Sequence, residues 1–231
     1  MSTCAALFER YAIYWAPESD SQLSRLDESW FGGDRQRGTF GLDPAVAGRI
    51  KRSAARYGLH GTLKAPFRLA PGATLSDLTA RLHRFAEQRT PIHTSPLQLT
   101  DIDGFLALCP QPPSLELIRL AHMVVLGFDE FRAPLEAADR ERRVAGGLNT
   151  HQRLLLEQWG YPHVLSEFRF HVTLTDRMPN LAIRGKVKAA LADALAPLEA
   201  SPFELRSICL FGDPGEDKHL ELIERFPLNG S

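Results

Sequence analysis

The sequence predicts an α+β fold of two similar lobes, each an antiparallel sheet with helices on its outer side, facing each other across a cleft. Three observations carry that prediction. Segments alternating apolar and polar residues at the period of a strand are interleaved with amphipathic stretches at helical spacing. Twice, a helical stretch feeds a strand containing His-x-Thr-Leu, and each time a second helix and a pair of strands follow. A length of 231 residues, with 44% apolar and 24% charged, suits one sizeable core, so residues 1–231 are read as a single bilobal domain.

The first strand is "RYAIYWAP" (10–17), rich in aromatic and β-favouring residues and ended by Pro17. A short helix follows, capped by Ser19, Asp20 or Ser21 and stopped at Gly32-Gly33, and "DRQRGTFG" is a loop. In "DPAVAGRIKRSAARYG" Asp43 is the N-cap, Pro44 the first helical residue and Gly58 the stop. That helix delivers the chain to the strand "LHGTLKAPFRLA". Leu75, Leu78, Leu82 and Phe85 then recur at helical spacing. "LQLTDIDGFLALCP" reads as two strands joined near Asp101–Gly104, and "PQPP" (110–113) marks a boundary.

Residues 114–158 form a helical insertion, interrupted at Pro134 and closed by "NTHQRLLLEQWGYP", with Asn149 or Thr150 as cap and Gly160 as stop. The second histidine strand is "FRFHVTLT" (168–175). An amphipathic helix, "IRGKVKAALADALAPL", leads to two long strands around a Gly/Pro/Asp turn, "FELRSICLFGDPGEDKHLELIERFPL".

Charge and cysteine usage narrow the function. Lysine plus arginine (27) against aspartate plus glutamate (28) leaves no global cationic excess to hold a long nucleic acid. A small anionic substrate needs only a few local cations. Cys4, Cys109 and Cys209 are few and scattered, which predicts a reducing compartment and no disulfide framework. The N-terminus lacks a signal-peptide pattern, and no segment approaches the roughly 20 apolar residues of a membrane span. A cytoplasmic protein is expected, with no membrane association and no obligatory protein partner. G-x-S-x-G, the P-loop and G-x-G-x-x-G are absent, which disfavours serine hydrolases, P-loop NTPases and dinucleotide enzymes.

The chemistry concentrates on the two histidine strands. In "LHGTLKA", alternation places Leu59, Gly61, Leu63 and Ala65 on the packing face and His60, Thr62 and Lys64 on the other. In "FRFHVTLT" the packing face is Phe168, Phe170, Val172 and Leu174, and Arg169, His171, Thr173 and Thr175 lie opposite. Each histidine stands about 7 Å from its threonine on the same side. If both strands line one cleft, the set suits phosphodiester hydrolysis. One neutral imidazole takes a proton from the attacking water while the other, protonated, donates to the departing alkoxide. Thr62 and Thr173 offer hydroxyls to the non-bridging oxygens, and Lys64 and Arg169 offer charge-assisted contacts. The scheme requires no cofactor and no metal.

Two His-x-Thr motifs, "HGTL" (60–63) and "HVTL" (171–174), one per lobe, resemble the 2H phosphoesterase superfamily. The resemblance implies a pseudo-symmetric bilobal fold and metal-independent activity on cyclic phosphodiesters or RNA ends. It makes His60 and His171 the catalytic histidines and Thr62 and Thr173 the phosphate-contacting residues. "RYAIYWAP", "YGLHGTLKAPF" and "WGYPHVLSEFRFHVTLT" are similar to a branch found among phosphonate-utilisation genes. The implied substrate is a small cyclic phosphate, derived from ribose or a nucleoside (2′,3′-cyclic). Activity on RNA ends or 2′–5′ linkages is the alternative within that chemistry, and a non-catalytic phosphate- or metal-binding module is the alternative outside it.

Other candidates have plainer readings. His83 and His122 fall in helical patterns, His93, His151 and His163 lie beside loops or caps, and His219 is placed in the last strand. Tyr11, Tyr14 and Trp15 suit core packing better than a stacking wall. The basic run "RIKRSAAR" (49–56) reads as a solvated helix face.

Overall fold

The computed structural model describes residues 8–32, 39–215 and 218–230. Cys4 and most of the loop "DRQRGTFG" fall outside them. The elements in chain order are β1 (Arg10–Trp15), α1 (Gln22–Phe31), α2 (Pro44–Ile50), β2 (Gly61–Phe67), α3 (Leu75–Glu87), β3 (Ile92–Thr94), β4 (Leu97–Ile102) and β5 (Phe105–Pro110). There follow α4 (Leu115–Gly127), α5 (Ala137–Val144), α6 (Thr150–Trp159), β6 (Val172–Thr173), α7 (Leu181–Glu199), β7 (Phe203–Leu205), β8 (Ser207–Asp213) and β9 (Glu221–Pro227).

The α+β class and the internal repeat are both present, as β2-α3-β3-β4-β5 and β6-α7-β7-β8-β9. The expected separate sheets, however, are joined edge to edge. Seven antiparallel strands run in the order β4-β5-β6-β2-β1-β8-β9, and β3 pairs with β7 in a small second sheet. Each hairpin is displaced into the other half: β5 pairs with β6, and β8 pairs with β1 beside β2. A single residue pair, Gly61 with Val172, joins the two histidine strands. α3 packs against β8 and β9, and α7 against β4 and β5. The common core includes Ile13, Leu63, Leu108, Val172 and Leu210 from the sheet and Leu78, Leu82, Val187 and Leu191 from the helices. Each buried aliphatic chain of this kind contributes roughly 1.5–3 kcal/mol against solvent exposure.

Local chemistry explains the boundaries. Ser21 accepts a hydrogen bond from Ser24 N and starts α1. Asp43 accepts from Ala45 N and Val46 N, with Pro44 at the first turn of α2. The helix expected to run on to Gly58 stops at Ile50, because the Asp176 carboxylate takes the N–H groups of Ser53 and Ala54 and bends that segment. Asn149 and Gln152 form a reciprocal capping box on α6, and Gly160 ends it at φ 72°. The Trp30 indole N–H donates to Leu174 O at 2.7 Å and fixes α1 to the end of β6.

The long strand read in "FRFHVTLT" shrinks to Val172–Thr173. β2 pairs with this segment only at Gly61–Val172 and β5 only at Leu108–Val172 and Ala107–Thr173, so residues 168–171 join no ladder. Downstream, Leu174 N and Thr175 N both turn to the one carbonyl of Leu106. The first strand of the last hairpin is split into β7 and β8, and His219 lies before β9 rather than in it.

Candidate active site

Two loops of similar construction deliver the histidines to the same face. Gly58, at φ 63°, turns the chain immediately before His60. Nδ1 of His60 lies 3.0 Å from Gly58 O, and Nδ1 of His171 lies 2.8 Å from Arg169 O. In each case the partner is the carbonyl two residues upstream. A carbonyl only accepts, so each Nδ1 carries the proton and each Nε2 is left as the titrating atom.

The imidazoles line one cavity of about 520 Å³ together with Thr62 and Thr173. Both rings are half-buried. Burial pushes the His60 pKa down to about 4, opposed by the Gly58 hydrogen bond, with the nearby His171 adding a further lowering. Burial also lowers His171, opposed by the Arg169 carbonyl and reinforced by the Arg169 and His163 charges. Both therefore favour the neutral form at pH 7.

Tertiary pairing decides the rest of the expected set. Tyr14 pairs with Thr62 and Ile13 with Lys64, so β2 carries one extra residue at Leu63. That bulge resets the alternation. Lys64, expected beside His60 and Thr62, falls on the core side with Ile13. It is only 3% exposed, with Nζ 3.2 Å from Asp129 Oδ1 and 3.3 Å from Val125 O. Burial lowers its pKa to about 8 despite the aspartate. Ala65 and Pro66 occupy the cleft wall instead. Lys64 thus secures the insertion to the sheet and does not reach the cavity. Thr175 is likewise buried, its Oγ1 accepting from Leu106 N at 2.9 Å. Arg169 is exposed and lines an adjoining hollow of about 440 Å³ that shares Thr62, Tyr161 and His171 with the main cavity.

Several lining residues are ones the sequence reading does not assign to the site. The Tyr14 ring lies 4.4 Å from that of His60, and the Tyr57 ring 5.5 Å from it. Tyr14 is therefore packed and at the site at once, on the face shared with Ala12, Cys209 and Phe211. Arg10, Arg56, Arg142, Arg143 and Tyr161 complete the wall. Arg56, from the run read as a solvated face, donates to Asp213 Oδ1 at 2.6 Å, and Arg10 pairs with the other oxygen at 2.8 Å. Arg142 and Arg143 come from α5, so the insertion builds part of the cavity. His163 lines the adjoining hollow. His83 contacts Glu224 and His93 contacts Glu204 away from the cavity, and His122 lies half-buried in α4.

A larger hollow, about 770 Å³, lies against Trp15, Phe203 and Pro227. Its Arg225 is consumed by Glu18, Ser207 and the carbonyls of Ala16 and Pro17, and no histidine among the described residues lines it. Among the described residues, no helix is long and apolar enough to cross a membrane. No group of three or more His, Cys, Asp or Glu among them is gathered to hold a metal ion. Cys109 and Cys209 are buried free thiols.

Comparison with known proteins follows the same span. A protein from Janthinobacterium sp. (strain Marseille) described as ribose 1,5-bisphosphate phosphokinase PhnN is 35% identical over 176 residues, covering 73% of this chain and 39% of that protein. A protein of the same description from Laribacter hongkongensis (strain HLHK9) is 32% identical over 211 residues, covering 89% and 48%. The chain thus spans less than half the length of these curated relatives. Among solved structures, TT0787 of Thermus thermophilus aligns with a TM-score of 0.47 at 16% identity, covering 96% of this chain and 99% of that one. Escherichia coli LigT complexed with 3′-AMP aligns with a TM-score of 0.47 at 14% identity, covering 96% and 98%. A family model described as a protein of unknown function, DUF1045, matches residues 62–221, from the first threonine of the cleft to the start of β9, and the chain belongs to that family.

Proposed function

We propose that the chain is a phosphodiesterase of the 2H type that opens a small cyclic phosphodiester of a ribose-derived alcohol by paired-histidine acid–base catalysis. One observation carries the reading. Two imidazoles, each anchored through Nδ1 to a carbonyl two residues upstream, sit in one cavity with a threonine two positions after each. That is the minimum machinery for in-line displacement at phosphorus.

In the working state the pair holds one proton. The neutral Nε2 removes a proton from water as the water oxygen bonds to phosphorus. The protonated Nε2 gives its proton to the ester oxygen as that P–O bond breaks. One water is consumed and a phosphomonoester with a free hydroxyl remains, the proton having moved from one histidine to the other. The Thr62 and Thr173 hydroxyls donate to the non-bridging oxygens, where charge grows. Because both histidines are held below their usual pKa, an arriving anion is what makes protonation of one of them favourable. Arg169 stands at the rim beside His171 as a further contact for the anion.

The curated relatives support a phosphorylated ribose as the substrate type, since their name specifies a ribose bisphosphate and this chain matches less than half of each. The phosphonate-linked resemblance of "YGLHGTLKAPF" agrees with that. The test is a panel of cyclic phosphates assayed with the wild type, His60→Ala and His171→Ala. Each variant is expected to lose at least about 10²-fold in turnover while keeping the wild-type unfolding temperature. Turnover is also expected to survive EDTA. Wild-type rates in both variants would remove the proposal.

A further inference from the structure

We infer that the cleft holds a second anion subsite, centred on Arg143, that recognises a phosphate group of the substrate other than the one being hydrolysed. The inference rests on the phosphodiesterase reading and specifies its substrate class: a cyclic phosphodiester that also carries a phosphomonoester.

Distance separates the two anions. Thr62 stands at the histidine end of β2, whereas Pro66 lines the same cavity four residues further on. At the rise of a strand that would be at most about 13 Å, and it is on the order of 10 Å once the two register shifts of β2 are allowed for. Arg10, Pro66 and Arg143 also line a small recess beyond the cavity, which fixes Arg143 at the Pro66 end. A phosphate held between the two histidines does not extend to that end, but a second phosphate across a sugar does.

Charge points the same way. Among the described residues four arginines line the cavity and Asp176 is its only carboxylate. Asp176 is occupied by the N–H groups of Ser53 and Ala54. Arg10 and Arg56 share one buried carboxylate, Asp213, and Arg142 shares Asp139 with Arg68. Among the described residues no carboxylate is in ion-pair contact with Arg143, Asp139 acting on it only at longer range, and its Nε is buried without a hydrogen-bond partner among them. Burial lowers its pKa, an expense that a bound anion would offset. Its guanidinium lies over the Tyr161 ring, 4.9 Å from the centroid, which fixes the plane of the donor fork. A planar fork with free donors beside a surplus of cations is built for a phosphate dianion. α5 brings both Arg142 and Arg143 here, so the helical insertion is a specificity element as well as scaffold.

The experiment compares ribose 1,2-cyclic phosphate with the same compound phosphorylated on its primary hydroxyl. Turnover of wild type is measured on both, and binding of both to the His60→Ala/His171→Ala double variant is measured by calorimetry. The phosphorylated ligand is expected to bind roughly 10- to 100-fold more tightly. Adding Arg143→Ala to the double variant is expected to remove most of that ratio, and Arg143→Lys only part of it. Unfolding temperature checks that each variant is folded. Equal affinity for the two ligands, or a ratio untouched by Arg143→Ala, would overturn the subsite whether or not turnover occurs. Binding preference without turnover of either ligand would keep the subsite and overturn the phosphodiesterase.

Discussion

Replacing Gly61 by alanine tests the junction on which the site is built. An added Cβ would stand 2.6 Å from Cε2 and Cζ of Phe170, closer than real contacts allow. Phe170 is 4% exposed and packed between the rings of Trp15 and Phe203, at 6.4 and 5.6 Å, so it has little room to yield. Overpacking of this kind costs about 1–3 kcal/mol. Alanine recovers roughly 0.4–1 kcal/mol by restricting the unfolded chain. The steric term wins, leaving a net loss of about 1–2 kcal/mol and a Tm lower by roughly 2–8 °C for a domain of this size. Gly61 also lies between His60 and Thr62, so the same displacement reaches the site. A misplacement near 1 Å lowers kcat/KM by about 10²-fold. Thermal unfolding and steady-state kinetics of Gly61→Ala, Phe170→Leu and the double variant are the assay. The double variant should recover stability relative to Gly61→Ala, with a coupling of about 0.5–3 kcal/mol between the positions. A Gly61→Ala protein with wild-type Tm and wild-type kcat/KM would refute the close-approach argument.

The pH dependence of kcat/KM should be bell-shaped with its maximum on the acid side of neutrality. The active form holds one proton on the pair, so activity rises as pH falls from 7 through the lowered His171 value. It is lost again below about 4, where His60 also protonates. A kcat/KM that climbs from pH 6 to pH 8 contradicts this. Asp213→Ala should destabilise the protein by about 3 kcal/mol, at the low end for a buried pair because Arg10 and Arg56 are partly exposed. Urea unfolding should show a lower midpoint at unchanged slope; no shift in midpoint would mean that the two arginines do not depend on it. Lys64→Ala should lower stability with far less effect on kcat/KM than His60→Ala, since Lys64 is committed to Asp129 and Val125 outside the cavity. An activity loss as large as that of His60→Ala would return Lys64 to the site.

Much of the fold was legible because its signals are local. The caps and the stop at Gly160 act within a few residues: Asp43 and Gly160 stand where the pattern places them, and the structure selects Ser21 among residues 19–21 and Asn149 over Thr150. The repeat of histidine strand, helix and strand pair was legible as well. Where the reading failed, a distant residue intervened. α2 is short because Asp176, more than 120 positions away, takes the N–H groups of Ser53 and Ala54. β3 was invisible because three residues become a strand only by pairing with β7. Tyr14, which the pattern assigns to packing, is both packed and in the cavity wall, since a ring can bury one face and present the other.

By itself the sequence determined the two His-x-Thr motifs, most of the order of elements around them and the near balance of cations and anions, all set by residue type and short spacing. Tertiary structure alone decided that the two strands lie side by side in one sheet, because a single bridge between Gly61 and Val172 joins segments more than a hundred residues apart. It also decided which cations serve the cavity. A bulge of one residue at Leu63 turned Lys64 to the core, and an inserted helix supplied Arg142 and Arg143 in its place. Alternation along one strand reports a side chain's face only while the neighbouring strand keeps register, and register belongs to the pair of strands.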